Sequence, residues 1–237
     1  MLNRINLFCL SYAGGSAAAV FNKWKNKLHD SICLVPIELP GKGNRHRESP
    51  CTDIGEAVND VLDQIGHELD KCDYAFFGYS IGSTLACEVI NTIRNKNMKL
   101  PVHAFLASRY PPNVIKDRKV LHLLSDEEFK NEALKLGGIP EKLLRFEGLL
   151  KSSLDVLRAD YKLIETYKPN EQMQKFQFDI SVMAGRKDEL LDETDIDVWK
   201  TYTEKKCSVY WFEGGHFFIH DSSDEITRII NNTLTAE

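Results

Sequence analysis

A chain of 237 residues, 43% hydrophobic and 27% charged with a formal charge of −5, has the profile of an ordinary globular protein; at this length it can bury roughly 70–75% of its unfolded surface. The charge pattern excludes a nucleic-acid binder, because basic residues are scattered and the densest stretch, Lys42 to Arg47, holds only three cations. No apolar run approaches the ~18 residues of a membrane helix, Ile5–Leu10 is too short for a signal core, and the six cysteines lack C-x-x-C spacing. A cytoplasmic protein with free thiols and no metal is expected.

Short apolar runs alternate with helix-period segments along the chain. Ile5–Leu10 reads as a strand, followed by the glycine-rich Ser11-Tyr12-Ala13-Gly14-Gly15-Ser16 and a helix over Ala17–His29. A strand over Ile32–Leu39 and a helix over Ile54–Leu69 follow. The run Tyr74–Gly78 then breaks into Gly78-Tyr79-Ser80-Ile81-Gly82 and continues as a helix over Gly82–Asn95. After the strand Val102–Ser108 the rhythm stops. From 113 to 167 there are only helical pieces, Ser125–Leu136 with its cap-like Ser125-Asp126-Glu127-Glu128, and Pro140–Tyr167, separated by Gly137-Gly138. Alternation resumes with the strand Asp179–Ala184, a helix over Glu193–Thr203, the strand Ser208–Phe212 and a helix over Ser222–Leu234. This order predicts an α/β fold, with a mostly parallel sheet flanked by helices. Residues 1–112 and 168–237 form the core, and 113–167 form a helical insertion placed where a lid would cover a cleft.

Gly78-Tyr79-Ser80-Ile81-Gly82 between a strand and a helix is a nucleophile elbow. The turn strains the serine backbone, and side chains two residues to either side would collide with neighbouring chain, hence the glycines. A serine hydroxyl is a poor nucleophile at neutral pH and needs an imidazole to take its proton and a carboxylate to orient that imidazole. Of seven histidines, His216 stands out, because Gly214-Gly215-His216 forms a sharp loop after the last strand. Asp188 is the first aspartate past the preceding strand, whereas Asp192, Asp195 and Asp197 fall in or near the next helix, where acids ordinarily cap or face solvent. Ser80, Asp188 and His216 follow the chain order of α/β hydrolases. An oxyanion hole needs two N–H donors. Ile81, next after the nucleophile, supplies one; Tyr12 or Ala13, with Ala13 preferred, supplies the other from a loop that also suits a helix cap.

Five ordered motifs carry a closer likeness. Phe8-Cys9-Leu10-Ser11-Tyr12-Ala13-Gly14-Gly15, Glu38-Leu39-Pro40-Gly41-Lys42-Gly43-Asn44-Arg45, Phe77-Gly78-Tyr79-Ser80-Ile81-Gly82, Leu157-Arg158-Ala159-Asp160-Tyr161 and Gly214-Gly215-His216-Phe217-Phe218 together resemble the type II thioesterases of nonribosomal peptide and polyketide synthesis. The resemblance implies a stand-alone α/β hydrolase that cleaves acyl groups from the phosphopantetheine thiol of acyl or peptidyl carrier proteins. It would unblock the assembly line as a monomer, with no cofactor of its own. The chain departs from that family's usual pattern at Ser11, Lys42, Tyr79 and Ile81, and the last two are expected to alter the walls of the acyl pocket. The same triad serves serine carboxylesterases and acyl-thioester hydrolases of small metabolites, and a non-catalytic carrier-binding module is the reading from another class.

Overall fold

The apolar runs pair into one six-stranded, wholly parallel sheet in the computed structural model, which describes residues 4–116, 118–139, 141–169 and 173–236. The strands are β1 (Ile5–Leu10), β2 (Ile32–Pro36), β3 (Asp73–Tyr79), β4 (His103–Ala107), β5 (Ile180–Gly185) and β6 (Cys207–Phe212), in the order β2-β1-β3-β4-β5-β6. The α/β expectation holds. Among the described residues no helix is long and apolar enough to cross a membrane.

Two-residue alternation along the strands divides the core into two layers. On one face Phe8, Leu10, Tyr74, Phe76, Leu106 and Val182 pack under α2 (Ile54–Ile65), α3 (Ile81–Asn95) and α6 (Glu193–Val198). On the other, Leu7, Cys9, Phe77, Tyr79, Phe105 and Met183 pack under α1 (Ala17–Phe21) and α7 (Ser223–Thr235). Helix α2 shows how local sequence sets an element. Asp53 caps it by accepting from the Glu56 amide, and Ile54, Ala57, Val58, Val61, Leu62 and Ile65 form one buried stripe.

Several boundaries differ from the sequence reading, each for a local reason. The helix expected over Ala17–His29 is α-helical only to Phe21, then tightens into a 3-10 turn at Asn22–Trp24, where the Trp24 carbonyl accepts from both Lys27 and Leu28. Tighter turns bring the same apolar residues inward, so periodicity alone could not separate the two. Strand β2 stops at Pro36 rather than Leu39; it lies at the sheet edge, where Pro36 turns its nitrogen, which lacks an N–H, away from β1, and the pairing ends with the Ile37 N–H donating to the Cys9 carbonyl at 2.9 Å. The helix expected over Glu193–Thr203 becomes 3-10 at Trp199.

Between β4 and β5 the chain forms α4 (Asp126–Lys135), a 3-10 segment (Glu141–Arg145) and α5 (Glu147–Glu165). Ser125 makes the anticipated reciprocal capping box with Glu128. The single helix expected over Pro140–Tyr167 is broken at Phe146, and Pro140 lies outside the described residues. Leu121, Phe129, Ala133, Ile139, Leu150 and Leu157 form an apolar cluster of their own, separate from both layers of the sheet core.

Candidate active site

Ser80 sits between the last residue of β3 and the first of α3 with φ of 55°, a region that side-chain-bearing residues avoid. The strain is held in place by β4, because the Ser80 N–H donates to the Ala107 carbonyl at 2.8 Å. The fully buried Ser83 hydroxyl lies 2.8 Å from the Gly78 carbonyl and 2.9 Å from the Ala107 carbonyl, tying the helix start to both strands. The two elbow glycines are required by contact. A Cβ on Gly78 would run into the Gly82 carbonyl, and one on Gly82 into the Leu10 carbonyl.

The structure brings the three residues singled out from sequence into one hydrogen-bonded line. His216 Nε2 lies 3.0 Å from Ser80 Oγ, and His216 Nδ1 lies 2.8 Å from Asp188 Oδ2. An acceptor at Nδ1 favours the tautomer that leaves Nε2 free to accept the serine proton. The Asp188 side chain is fully buried, and its other oxygen accepts from the Leu190 N–H at 3.0 Å. The rival aspartates are otherwise engaged: Asp192 caps α6, Asp195 pairs with Lys116 at 2.6 Å and Asp197 with Lys200 at 2.6 Å. The Thr194 hydroxyl, the Asp195 amide and Lys116 hold the Asp192 carboxyl well below the usual carboxylate range. Other histidines are likewise accounted for, His122 by Glu165 and His103 by Ser181, where burial lowers the His103 imidazole to about 4.

Two residues support this line in roles that the sequence did not announce. The Ser108 hydroxyl, at the end of β4, lies 3.0 Å from Asp188 Oδ2 and 3.1 Å from the His216 carbonyl. Tyr79 was expected to reshape the acyl pocket, yet its side chain lies wholly in the layer beneath α1 and α7. There its phenol donates to the His216 carbonyl at 2.6 Å and accepts from the Ile219 N–H at 3.4 Å. Burial holds that phenol in its protonated, donating form. Strand alternation predicts which face Tyr79 occupies; it does not predict that the histidine loop folds under the same face. Ile81 is also buried, in the opposite layer.

The loop after β1 turns through Tyr12 to Gly15, closed by the Gly15 N–H donating to the Tyr12 carbonyl at 3.0 Å. Neither Ala13 nor Ile81 has a hydrogen-bond partner for its N–H among the described residues. The Tyr12 side chain turns toward the histidine loop, with its hydroxyl 3.0 Å from His220 Nε2 and its ring edge-on to Phe217. Ser16 also caps α1 through the Ala19 N–H, so the loop serves both as cap and as a presenter of free amides. A separate cavity of about 310 Å³, lined by Asp53, Val58, Glu88, Thr92, Leu163 and Tyr167, includes none of Ser80, Asp188 or His216.

A strained serine with a histidine and an oriented aspartate behind it is equipped for acyl transfer through a covalent intermediate. The family described as Thioesterase domain matches residues 5–234. The gramicidin S biosynthesis protein GrsT of Aneurinibacillus migulanus is 33% identical over 231 residues, covering 98% of this chain and 89% of that protein. Among solved structures, ClbQ from the colibactin NRPS/PKS pathway superposes with a TM-score of 0.93 at 31% identity, covering 98% of this chain and 97% of its own. The type II thioesterase BorB from the borrelidin biosynthetic cluster gives a TM-score of 0.87 at 28% identity, covering 99% and 94%.

Proposed function

The chain belongs to the thioesterase domain family and is a serine-hydrolase thioesterase of α/β-hydrolase fold, with type II thioesterases of NRPS/PKS pathways among its relatives; from that premise we propose that it hydrolyses acyl groups from the phosphopantetheine arm of carrier proteins, with Ser80, His216 and Asp188 as its triad. The observation that carries this reading is the unbroken line from Ser80 Oγ through the His216 ring to Asp188.

In the proposed cycle Ser80 Oγ attacks the thioester carbonyl while its proton passes to His216 Nε2. The tetrahedral oxyanion is met by the free N–H groups of Ala13 and Ile81. Collapse expels the pantetheine thiol, which takes the proton back from His216, and leaves an acyl-serine. Water, deprotonated by the same nitrogen, then releases the acid and restores Ser80. The residues themselves supply nucleophile, base and donors, so the reaction calls for no cofactor beyond the phosphopantetheine that arrives on the substrate. The insertion of residues 113–167 acts as the lid over the acyl chain. Ala13 supports that placement, since it packs against both the sheet core and the cluster of the insertion. The protein works as a monomer in the cytoplasm, beside the synthase it unblocks.

A panel of carrier proteins bearing different acyl-phosphopantetheines, read by intact-protein mass, tests this. Loss of the acyl mass at rates above those for the matching oxygen esters is expected. Faster cleavage of the oxygen esters would instead make this an esterase of small metabolites, and failure of a fluorophosphonate to label Ser80 would leave a non-catalytic binder.

Tyr79→Phe should slow that hydrolysis. It removes the buried hydrogen bond to the carbonyl of the base itself, worth about 1 kcal/mol, together with the longer one accepted from the Ile219 N–H. Steady-state kinetics should show kcat reduced about five- to tenfold with KM unchanged, because the phenol lies away from the substrate; an unaltered kcat would mean that Ser108 alone holds the loop.

A further inference from the structure

Helix α5 of the insertion reaches into the loop that carries Ala13. The Gly14 N–H donates to Asp160 Oδ2 at 2.6 Å, and the same oxygen lies 2.7 Å from Lys42 Nζ. Both side chains are buried, Lys42 at 5% and Asp160 at 3% exposure. Leu157, one turn earlier on α5, presses on the same glycine, with Cδ1 3.1 Å from where a Gly14 Cβ would stand. Gly14 has a φ of +74°, so the contact and the backbone both ask for glycine.

Lys42 comes from an equally fixed segment. Glu38 accepts from the Ser16 hydroxyl at 2.8 Å and from the Ala17 and Ala18 amides at 3.0 and 3.3 Å. Arg45 grips Asp60 with two bonds of 2.7 and 2.8 Å and reaches the Glu38 carbonyl at 3.0 Å. The Glu38–Arg45 motif is thus a brace standing beside the loop after β1.

We propose that Asp160 is a positioning residue that completes the oxyanion hole from the insertion, with Lys42 as its charge partner; the inference rests on the catalytic reading given above. A peptide unit is planar, so a hydrogen bond at one side fixes the other. The Tyr12 carbonyl, held by Gly15, shares its plane with the Ala13 N–H. The next plane is held through the Gly14 N–H by Asp160. Together the two bonds fix where the Ala13 N–H points, and the second of them comes from another part of the chain. Lys42 answers a separate need. A bare carboxylate one residue from a developing oxyanion would oppose it in a buried setting, and the ammonium cancels that charge.

The two roles separate experimentally. Lys42→Met leaves the carboxylate uncompensated and should lower kcat at least tenfold. Lys42→Met with Asp160→Asn restores neutrality and keeps an acceptor for Gly14, and should return kcat to within about threefold of wild type. Lys42→Met with Asp160→Leu is neutral and apolar but has no acceptor, and should lose 10- to 100-fold in kcat with KM nearly unchanged, because a misplaced oxyanion donor costs about that much. Each is measured with an S-acyl N-acetylcysteamine and, in parallel, by the rate of Ser80 phosphonylation with a fluorophosphonate, whose tetrahedral oxygen enters the same hole. Wild-type rates in the Asp160→Leu double variant would overturn the proposal, as would equal impairment of the Asn and Leu pairs. Where the Leu pair fails to fold, rescue of Lys42→Met by Asp160→Asn decides, and absence of rescue overturns it. If the wild type labels at Ser80 but cleaves no thioester, the substrate reading falls while the phosphonylation rates still judge Asp160. If Ser80 does not label, both fall.

Discussion

Ser80→Ala is expected to reduce thioester hydrolysis by roughly 10⁴- to 10⁶-fold, the range for loss of a serine nucleophile that no other group replaces. The fold should survive. The Ser80 N–H that anchors the elbow to Ala107 is backbone, the Ser83 hydroxyl that ties the turn is untouched, and alanine adds no volume. The variant should also fail to accept a fluorophosphonate while melting as a cooperative unit. Residual turnover within tenfold of wild type, with a native melting curve, would move the nucleophile elsewhere.

Asp188→Asn should come next in size, at about 10⁴-fold in kcat. An amide NH₂ placed where Asp188 Oδ2 now accepts from His216 Nδ1 presents a donor to a donor. The imidazole then adopts the other tautomer, carries its proton on Nε2 and can no longer take one from Ser80. Binding does not involve this carboxylate, so KM should hold. Asp188→Ala with near-normal rates would redirect the search to another carboxylate. None of the three candidates on or near α6 is idle, since Asp192 and Asp195 pair with Lys116 and Asp197 with Lys200.

How far these residues were legible depends on whether their reason lies in the local chain. Ser80 and His216 announce themselves because sharp turns demand glycines, and glycines are visible in sequence. Asp188 follows from position, as the first acid beyond a strand end. Tyr79 and Ser108 were opaque. Each acts on the His216 carbonyl, more than a hundred positions away in the chain, and nothing nearby marks a hydroxyl that will meet it. Asp160 was visible only as part of a family motif, since an acid on an amphipathic helix ordinarily reads as a solvated surface residue. Its burial becomes evident only when α5 is seen against the loop after β1. The strand set was readable throughout because apolar runs of about five residues flanked by turns have few alternatives, whereas the residues after Phe21 satisfied helical and 3-10 spacing equally.

The insertion keeps its apolar residues in a cluster separate from the sheet core, and this bears on descent as well as on folding. Substitutions among Leu121, Phe129, Leu150 and their neighbours repack that cluster, which meets the sheet core through Ala13, so under the lid role proposed above selection for a new acyl group can rework the insertion while the strands beneath Ser80, Asp188 and His216 stay as they are. Leu157 and Asp160 escape that freedom. Both meet Gly14, and a lineage changing its substrate would be expected to hold those two positions while the rest of the insertion drifts.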